Sequence, residues 1–221
     1  GAVVMTLTTQ GDVPIHYTLD GSEPTAASPR YTGPVEIGKS ARFRATALRE
    51  GGENASYSRE FAFSKSTGRP AVLNTKPNDS YTFEGASLLV DGYHSRPVFT
   101  SGAWLGYLDE PLDVTIDMGG EQSYRSVELE TLAEKGDWIF PPSSVTVWVS
   151  DNGTDFTEVA SVAVPEAKAG DADGIGRYRM QFPETSARYL KVVAQNAAAI
   201  PAWHPGAGSK GFLFVDEVVV E

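Results

Sequence analysis

Three loop-like stretches are rich in aromatic and polar side chains. The stretch from Tyr93 to Trp104 holds Tyr93, His94, Arg96 and Trp104; that from Glu134 to Pro142 holds Glu134, Lys135, Asp137, Trp138 and Phe140; that from Pro201 to Phe212 holds Trp203, His204, Lys210 and Phe212. An indole face flanked by carboxylates, an imidazole and an ammonium group suits a ligand with an apolar C–H face and several hydroxyls, such as a sugar ring. Trp203 or Trp138 is expected to supply the platform, and His204, Lys210, Glu134 and Asp137 the hydrogen bonds, with His94 and Arg96 added from the first stretch. Plainer roles stand beside these. Trp104, next to Leu-Gly-Tyr, is expected in the core, and Trp148 lies within an alternating strand where packing is the expectation. Trp203, between Pro201 and Pro205 in a Gly-rich loop, is either folded over the end of the domain or offered to a partner. His94 and His204 lack the spacing of a metal pair.

Other chemistry is excluded by composition. The chain has 221 residues and no cysteine, which removes disulfides, zinc-thiolate sites and thiol nucleophiles. No GxSxG, P-loop, HExxH or GxGxxG pattern occurs. The net charge is −11 and uneven: through Lys65 there are 7 basic and 7 acidic residues, and from Ser66 onward 11 basic and 22 acidic. A surface of that sign repels phosphate backbones and anionic lipid, so neither nucleic acid nor membrane insertion is expected. It tolerates neutral ligands and hard cations. Asn54, Asn78 and Asn152 head N-x-S/T sequons.

The elements that must hold such loops are strands. Period-2 alternation runs through Ile15–Leu19, Ala41–Ala47, Val145–Ser150 and Arg177–Phe182. Turn signals lie between them at Asp20-Gly21, Gly51-Gly52, Asp91-Gly92, Gly119-Gly120, Asn152-Gly153 and Gly170-Asp171. With 22 Gly and 14 Pro, the reading is all-β. A short polar segment, Ser64–Pro70, follows the strand Arg59–Phe63 and coincides with the change in charge. It divides the chain into modules 1–65 and 66–221. The chain opens almost at once into strand-like Val3–Thr8 and reads as a piece of a longer protein.

In the first module, Ile15–Thr25 is a strand feeding a tight turn, followed by the return Tyr31-Thr32-Gly33-Pro34 and a strand ending Ala45-Thr46-Ala47. From Met5 to Phe63 this pattern resembles the small immunoglobulin-like or fibronectin-like domain that follows the catalytic barrel in chitobiases and β-hexosaminidases. Asp20 and Ser22 are turn formers here, and neither Asp20 nor Glu23 is given a catalytic role. From about Gly68 to Glu221 the order Asp91-Gly92, Ile116–Gly119, Val149–Phe156, Arg188–Val192 and Asp216–Val220 resembles the discoidin, or coagulation factor 5/8 type C, domain. That resemblance implies a galactose-binding-like jelly-roll β-sandwich. Together the two resemble the C-terminal region of a bacterial family 20 β-hexosaminidase without its catalytic barrel, and no Asp-Glu pair stands in that family's catalytic setting.

The resemblance implies further expectations. Loops at these points of the order gather at one end of the sandwich in sugar-binding relatives, which would bring Trp138, Trp203 and His204 to a common rim. A structural calcium is implied near the Asp91-Gly92 turn, held by Asp91, backbone groups around Leu88 and Tyr93, and Glu217 with the carbonyl of Asp216. Family members continue that turn with Asp or Asn and then Thr or Ser, whereas this chain has Tyr93-His94-Ser95. The implied role is a non-catalytic accessory region of an exported enzyme (periplasmic, outer-membrane-associated or extracellular), binding glycans of the galactose and N-acetylhexosamine class. The alternative is a pair of structural modules that pack on the parent catalytic domain or mediate oligomerisation.

Overall fold

The computed structural model describes residues 1–49, 51 and 53–221. Its elements are strands and short 3-10 turns. Strands β1 (Val3–Met5) and β3 (Val35–Ile37) pair with each other, while β2 (Ile15–Thr18), β4 (Ala41–Ala47) and β5 (Ala55–Phe61) form a three-stranded antiparallel sheet. Met5, Ile37, Phe43, Ala45 and Phe61 make the small core between them. Asp20 Oδ1 accepts from Ser22 N at 2.9 Å and Ser22 Oγ at 2.6 Å, the turn role expected of both residues. Glu23 is spent on Arg44 at 2.7 Å. Of the expected Gly51-Gly52 turn, Gly51 takes φ 72°, and Gly52 lies outside the described residues.

The rest of the chain forms β6 (Ala71–Leu73), β7 (Leu105–Tyr107), β8 (Leu112–Ala133), β9 (Ser144–Ser150), β10 (Thr157–Ala163), β11 (Gly174–Gln195) and β12 (Leu213–Val220). Strands β8 and β11 are each 22 residues long, against roughly 3–10 for ordinary strands. They pair antiparallel in two halves: Leu112–Asp117 with Tyr189–Ala194, and Ser126–Ala133 with Gly174–Gln181. Between the halves the register slips twice and Gly119 takes φ 78°, a conformation that favours glycine. These irregularities bend the pair, so the same two strands serve both layers of a sandwich. One layer reads β10-β9-β11-β8-β6 and the other β11-β8-β12-β7. The expected Gly119-Gly120 turn is therefore a bend inside one strand, and the two runs read at Arg177–Phe182 and Arg188–Val192 are two halves of another.

Alternation explains the core. Leu112, Val114, Ile116 and Met118 point inward from one half of β8, and Val127 and Leu129 from the other. Val145, Val147, Leu190 and Val192 complete one inner face, and Val215, Val218 and Val220 the opposite one. Leu88–Val90, an apolar run of three that by itself reads as the end of a strand before the Asp91-Gly92 turn, belongs to a 3-10 turn, Gly85–Val90. Leu88, Leu89 and Val90 are all buried, and three consecutive inward side chains are incompatible with a period of two.

Residues 64–70 are not a loose linker. Ser66 and Thr67 are fully buried, Ser66 Oγ donates to the Val218 carbonyl at 2.6 Å, and Lys65 N donates to that of Val220 at 3.0 Å. A polar segment can be buried when its groups find partners, and these do. Trp104 is sealed against Leu132, Ile139 and Phe214, with its indole N–H on the Arg96 carbonyl at 3.0 Å. Trp104→Ala is expected to cost about 3–5 kcal/mol in urea unfolding of the full chain.

Candidate functional site

The loop after β8 is folded on itself by backbone bonds. Glu134 and Ile139 exchange N–H···O contacts at 3.1 and 3.2 Å, and Asp137 N and Trp138 N donate to the carbonyls of Glu134 and Lys135. This tight turn forces Trp138 to φ 64°, ψ 26°, in the left-handed region that a bulky side chain rarely occupies. The residue is 43% exposed. Backbone strain of this kind persists where the surroundings over-determine it, and it clusters at ligand sites.

The loop between β11 and β12 packs against this turn. Phe212 N donates to the Trp138 carbonyl at 2.8 Å, and Phe140 N to that of Phe212 at 2.9 Å. His204 lies beneath, its ring edge-to-face with Trp138 at 6.1 Å, Trp203 at 5.5 Å and Phe140 at 5.5 Å. Its Nδ1 accepts from Gly206 N at 3.0 Å, so Nε2 carries the proton and donates to the Lys135 carbonyl at 2.9 Å. Trp203, 39% exposed, donates its indole N–H to the Ala167 carbonyl at 2.9 Å. Lys135 is buried, with Nζ on the Asp173 carboxylate and, at 2.9 Å, on the Asp171 carbonyl. The Lys135 ammonium holds Asp173 below the usual carboxylate range.

Trp138, Trp203 and His204 are therefore gathered at one rim. Beside Trp203, Phe140–Ser143, Val164–Ala167 and Ala197–Ala202 line a mostly apolar trough of about 390 Å³, within the roughly 300–1,000 Å³ usual for small-ligand clefts. Glu134 and Asp137 belong to the same turn as Trp138; burial and then the neighbouring Asp137 push the Glu134 carboxyl up.

Three expected contributors have other work. His204 is buried with both ring nitrogens engaged inside the protein, so it supports the aromatics and has no valence left for a sugar hydroxyl. Lys210, on the surface, pairs with Asp109 at 2.6 Å. His94 and Arg96 belong to another part of the surface. His94 Nδ1 lies 2.9 Å from Oε2 of the fully buried Glu130, outside hydrogen-bond alignment, and Arg96 lines a groove with Tyr57, Arg59, Glu84 and Tyr93. Sequence reasoning missed Lys135 as a buried anchor. It also missed the trough, whose one visible signal was the small-residue run Ala197-Ala198-Ala199.

The residues named for calcium do meet. Asp91 lies in the turn after Gly85–Val90, and Asp216 and Glu217 lie at the register slip of β12 against β8. Calcium takes about six to eight oxygen ligands. Here Asp91 Oδ2 is held by Arg59 Nη2 at 2.6 Å and its Oδ1 by Tyr93 N at 2.7 Å. Asp216 Oδ2 accepts from Ser95 N at 2.7 Å, and Glu217 Oε2 from Gly92 N at 3.2 Å. The carbonyls of Val90 and Gly92 accept from Gly68 N and Ala62 N, each at 2.7 Å. The Leu88 side chain is in the core and Tyr93 presents its ring to Arg59, so each offers only backbone groups here, as the resemblance implied. Glu217 Oε1 alone among the carboxylate oxygens of Asp91 and Glu217 lacks a partner. Among the described residues no group of three or more His, Cys, Asp or Glu is arranged to hold a metal. As arranged, Asp91 does not fit a calcium ion: the Arg59 guanidinium sits on its Oδ2 and Tyr93 N on its Oδ1, and a fixed positive charge 2.6 Å from the carboxylate repels a second cation. Burial pushes Asp91 up to about 6 and Asp216 to about 8, and drives Glu217 well above the ordinary range.

Comparison with known proteins bears on the fold that carries this rim. The model for the F5/8 type C domain matches residues 74–210, and that for the Fn3 associated region matches residues 5–61. No curated protein matches the chain. Among solved structures, a CBM32 module from Clostridium perfringens in complex with GalNAc-β-1,3-galactose is 16% identical. It covers 72% of this chain and 99% of its own at a TM-score of 0.48. A chitosan-binding module of a chitosanase/glucanase from Paenibacillus sp. IK-5, in complex with chitotriose, is 17% identical over 71% of this chain and 98% of its own, TM-score 0.45. A Streptococcus pneumoniae fucose binding module is 22% identical over 72% and 94%, TM-score 0.44.

Gly206 sets how the rim closes. A Cβ there would sit 2.8 Å from Cζ2 of the Trp138 indole. Gly206→Ala is expected to push the ring off its seat at a cost of about 1–3 kcal/mol. A shifted tryptophan emission maximum, absent in Trp138→Phe carrying the same change, would report it.

Proposed function

We propose that this chain, which belongs to the F5/8 type C domain family, is a non-catalytic glycan-binding accessory region that holds a parent enzyme near its substrate. The observation that carries this reading is Trp138: an exposed indole in a left-handed backbone conformation, on a turn braced by His204, Lys135 and Phe212. Holding a bulky side chain there costs of order 1–3 kcal/mol and gives the core nothing in return. Trp138 and Trp203 offer the apolar platform, and Glu134 and Asp137 the acceptors for sugar hydroxyls. A weak site tethered to an enzyme raises the local concentration of substrate.

The finer reading is an exported β-hexosaminidase as parent and sugars of the galactose and N-acetylhexosamine class as ligands. It is supported by the Tyr17–Thr25 turn module preceding a type C domain, the order that suggested it in the sequence. Titration calorimetry with galactose, N-acetylgalactosamine and N-acetylglucosamine is expected to give dissociation constants in the ~mM to high-µM range for at least one of them. No heat with any of the three, on protein shown to be folded, removes the reading.

One observation favours a second reading, in which the modules pack on a catalytic domain or another copy without sugar. The Trp203 N–H and both His204 nitrogens are consumed internally, which leaves few free donors at the rim. Addition of the parent catalytic domain would then protect Trp203 from solvent quenchers, whereas sugar alone would not. The two readings also separate on Trp138→Gly. Relief of the strained backbone is expected to keep its melting temperature within a few degrees of the parent chain, while sugar binding falls at least tenfold.

A further inference from the structure

Strand β5 is solvent-facing along most of its length, and Arg59 is the exception among its charged residues. Its side chain is 21% exposed and leaves the first sheet to reach Asp91 of the larger module, itself 15% exposed, with Nη2 2.6 Å from Oδ2. The guanidinium lies 3.9 Å over the Tyr93 ring and 5.4 Å over that of Phe61, between one aromatic from each module. This is the planar, stacked and charge-paired setting that arginine fills and lysine does not.

The surroundings are built for this approach. Ala62 N reaches the Gly92 carbonyl and Gly68 N that of Val90, each at 2.7 Å, and buried Ser66 bonds the Val218 carbonyl. Gly92, at φ 71°, leaves room for Thr67, whose Cγ2 would be 2.9 Å from a Cβ at that position. Behind Asp91 stand the buried carboxyls of Asp216 and Glu217, with Glu84 at the margin. The other basic residues at the joint are turned elsewhere: Lys65 sends its ammonium to the Ser123 carbonyl and Arg69 its Nε to the Lys65 carbonyl. A buried carboxylate needs a positive partner nearby, and the one that touches Asp91 is Arg59.

We propose that Arg59 stands in for a metal ion: the first module supplies, through its guanidinium, the positive charge that Asp91, at the edge of the Asp216–Glu217 pair, would otherwise take from calcium. The larger module is then metal-independent only while the first is docked on it. The inference does not depend on glycan binding, and its test uses none.

Thermal unfolding of the full chain in millimolar calcium, in magnesium and in chelator tests it, together with Arg59→Gln and Arg59→Lys. The parent chain should melt at one temperature in all three. Arg59→Gln should melt lower by roughly 5–10 °C in chelator, and calcium but not magnesium should return part of that loss. Arg59→Lys keeps the charge without the stack and should fall between the two. If Arg59→Gln does not fold without metal, its refolding yield is read instead, and recovery in calcium alone supports the proposal. A parent chain that calcium raises or chelator lowers overturns it, because the cluster then already holds metal. So does Arg59→Gln melting with the parent, or melting low with no response to calcium, which would leave Arg59 an ordinary ion pair.

Discussion

The pairing of two 22-residue strands over both halves of their length is the constraint from which the larger module follows. β8 and β11 cross from one layer to the other while still bonded to each other. The two layers therefore cannot slide independently, and each ladder fixes the register of the next. The bend has a local cause in Gly119 and in two register slips, where extra residues increase twist and turn the strand. With the bend in place, alternation delivers Leu112 to Met118 and Val127 to Leu129 into one shared interior. The loops at the strand ends are then held on a frame with little freedom, as a rim that must present rigid side chains requires.

On that frame the protein spends polar groups inward and leaves aromatic ones outward. His204, Lys135 and the Phe212 backbone are all consumed in bracing the turn that carries Trp138. An exposed indole on a fixed base loses little side-chain entropy when a ligand stacks on it, because most of its freedom was removed on folding. The same logic accounts for Trp203, pinned by its own N–H to the Ala167 carbonyl.

Much of the fold was legible as alternation. Ala41–Ala47 and Val145–Ser150 are strands within a residue of where the pattern puts them, and Asp216–Val220 lies within the last strand. What alternation cannot show is a strand that bends without ending, so Gly119-Gly120 reads as a turn and β11 as two strands. Nor can it show a 3-10 turn such as Gly85–Val90, whose apolar run of three looks like a strand. At the site, the meeting of Trp138, Trp203 and His204 was implied by the family resemblance, but the inward role of His204 was not. A histidine written in a Gly-rich loop looks like surface until Gly206 and Lys135 are seen to take both of its nitrogens. Arg59 was hidden for a different reason. On its own strand it has the spacing of a wet-face residue, and its partner Asp91 is 32 residues away in the other module.

The joint segment Ser64–Arg69 has one more consequence. With Ser66 and Thr67 sealed and Lys65 bonded to β12, the joint has no swivel. Any surface that grips the Trp138 rim therefore also sets the compass bearing of the amino-terminal sheet, as a key gripped by its bow aims its blade.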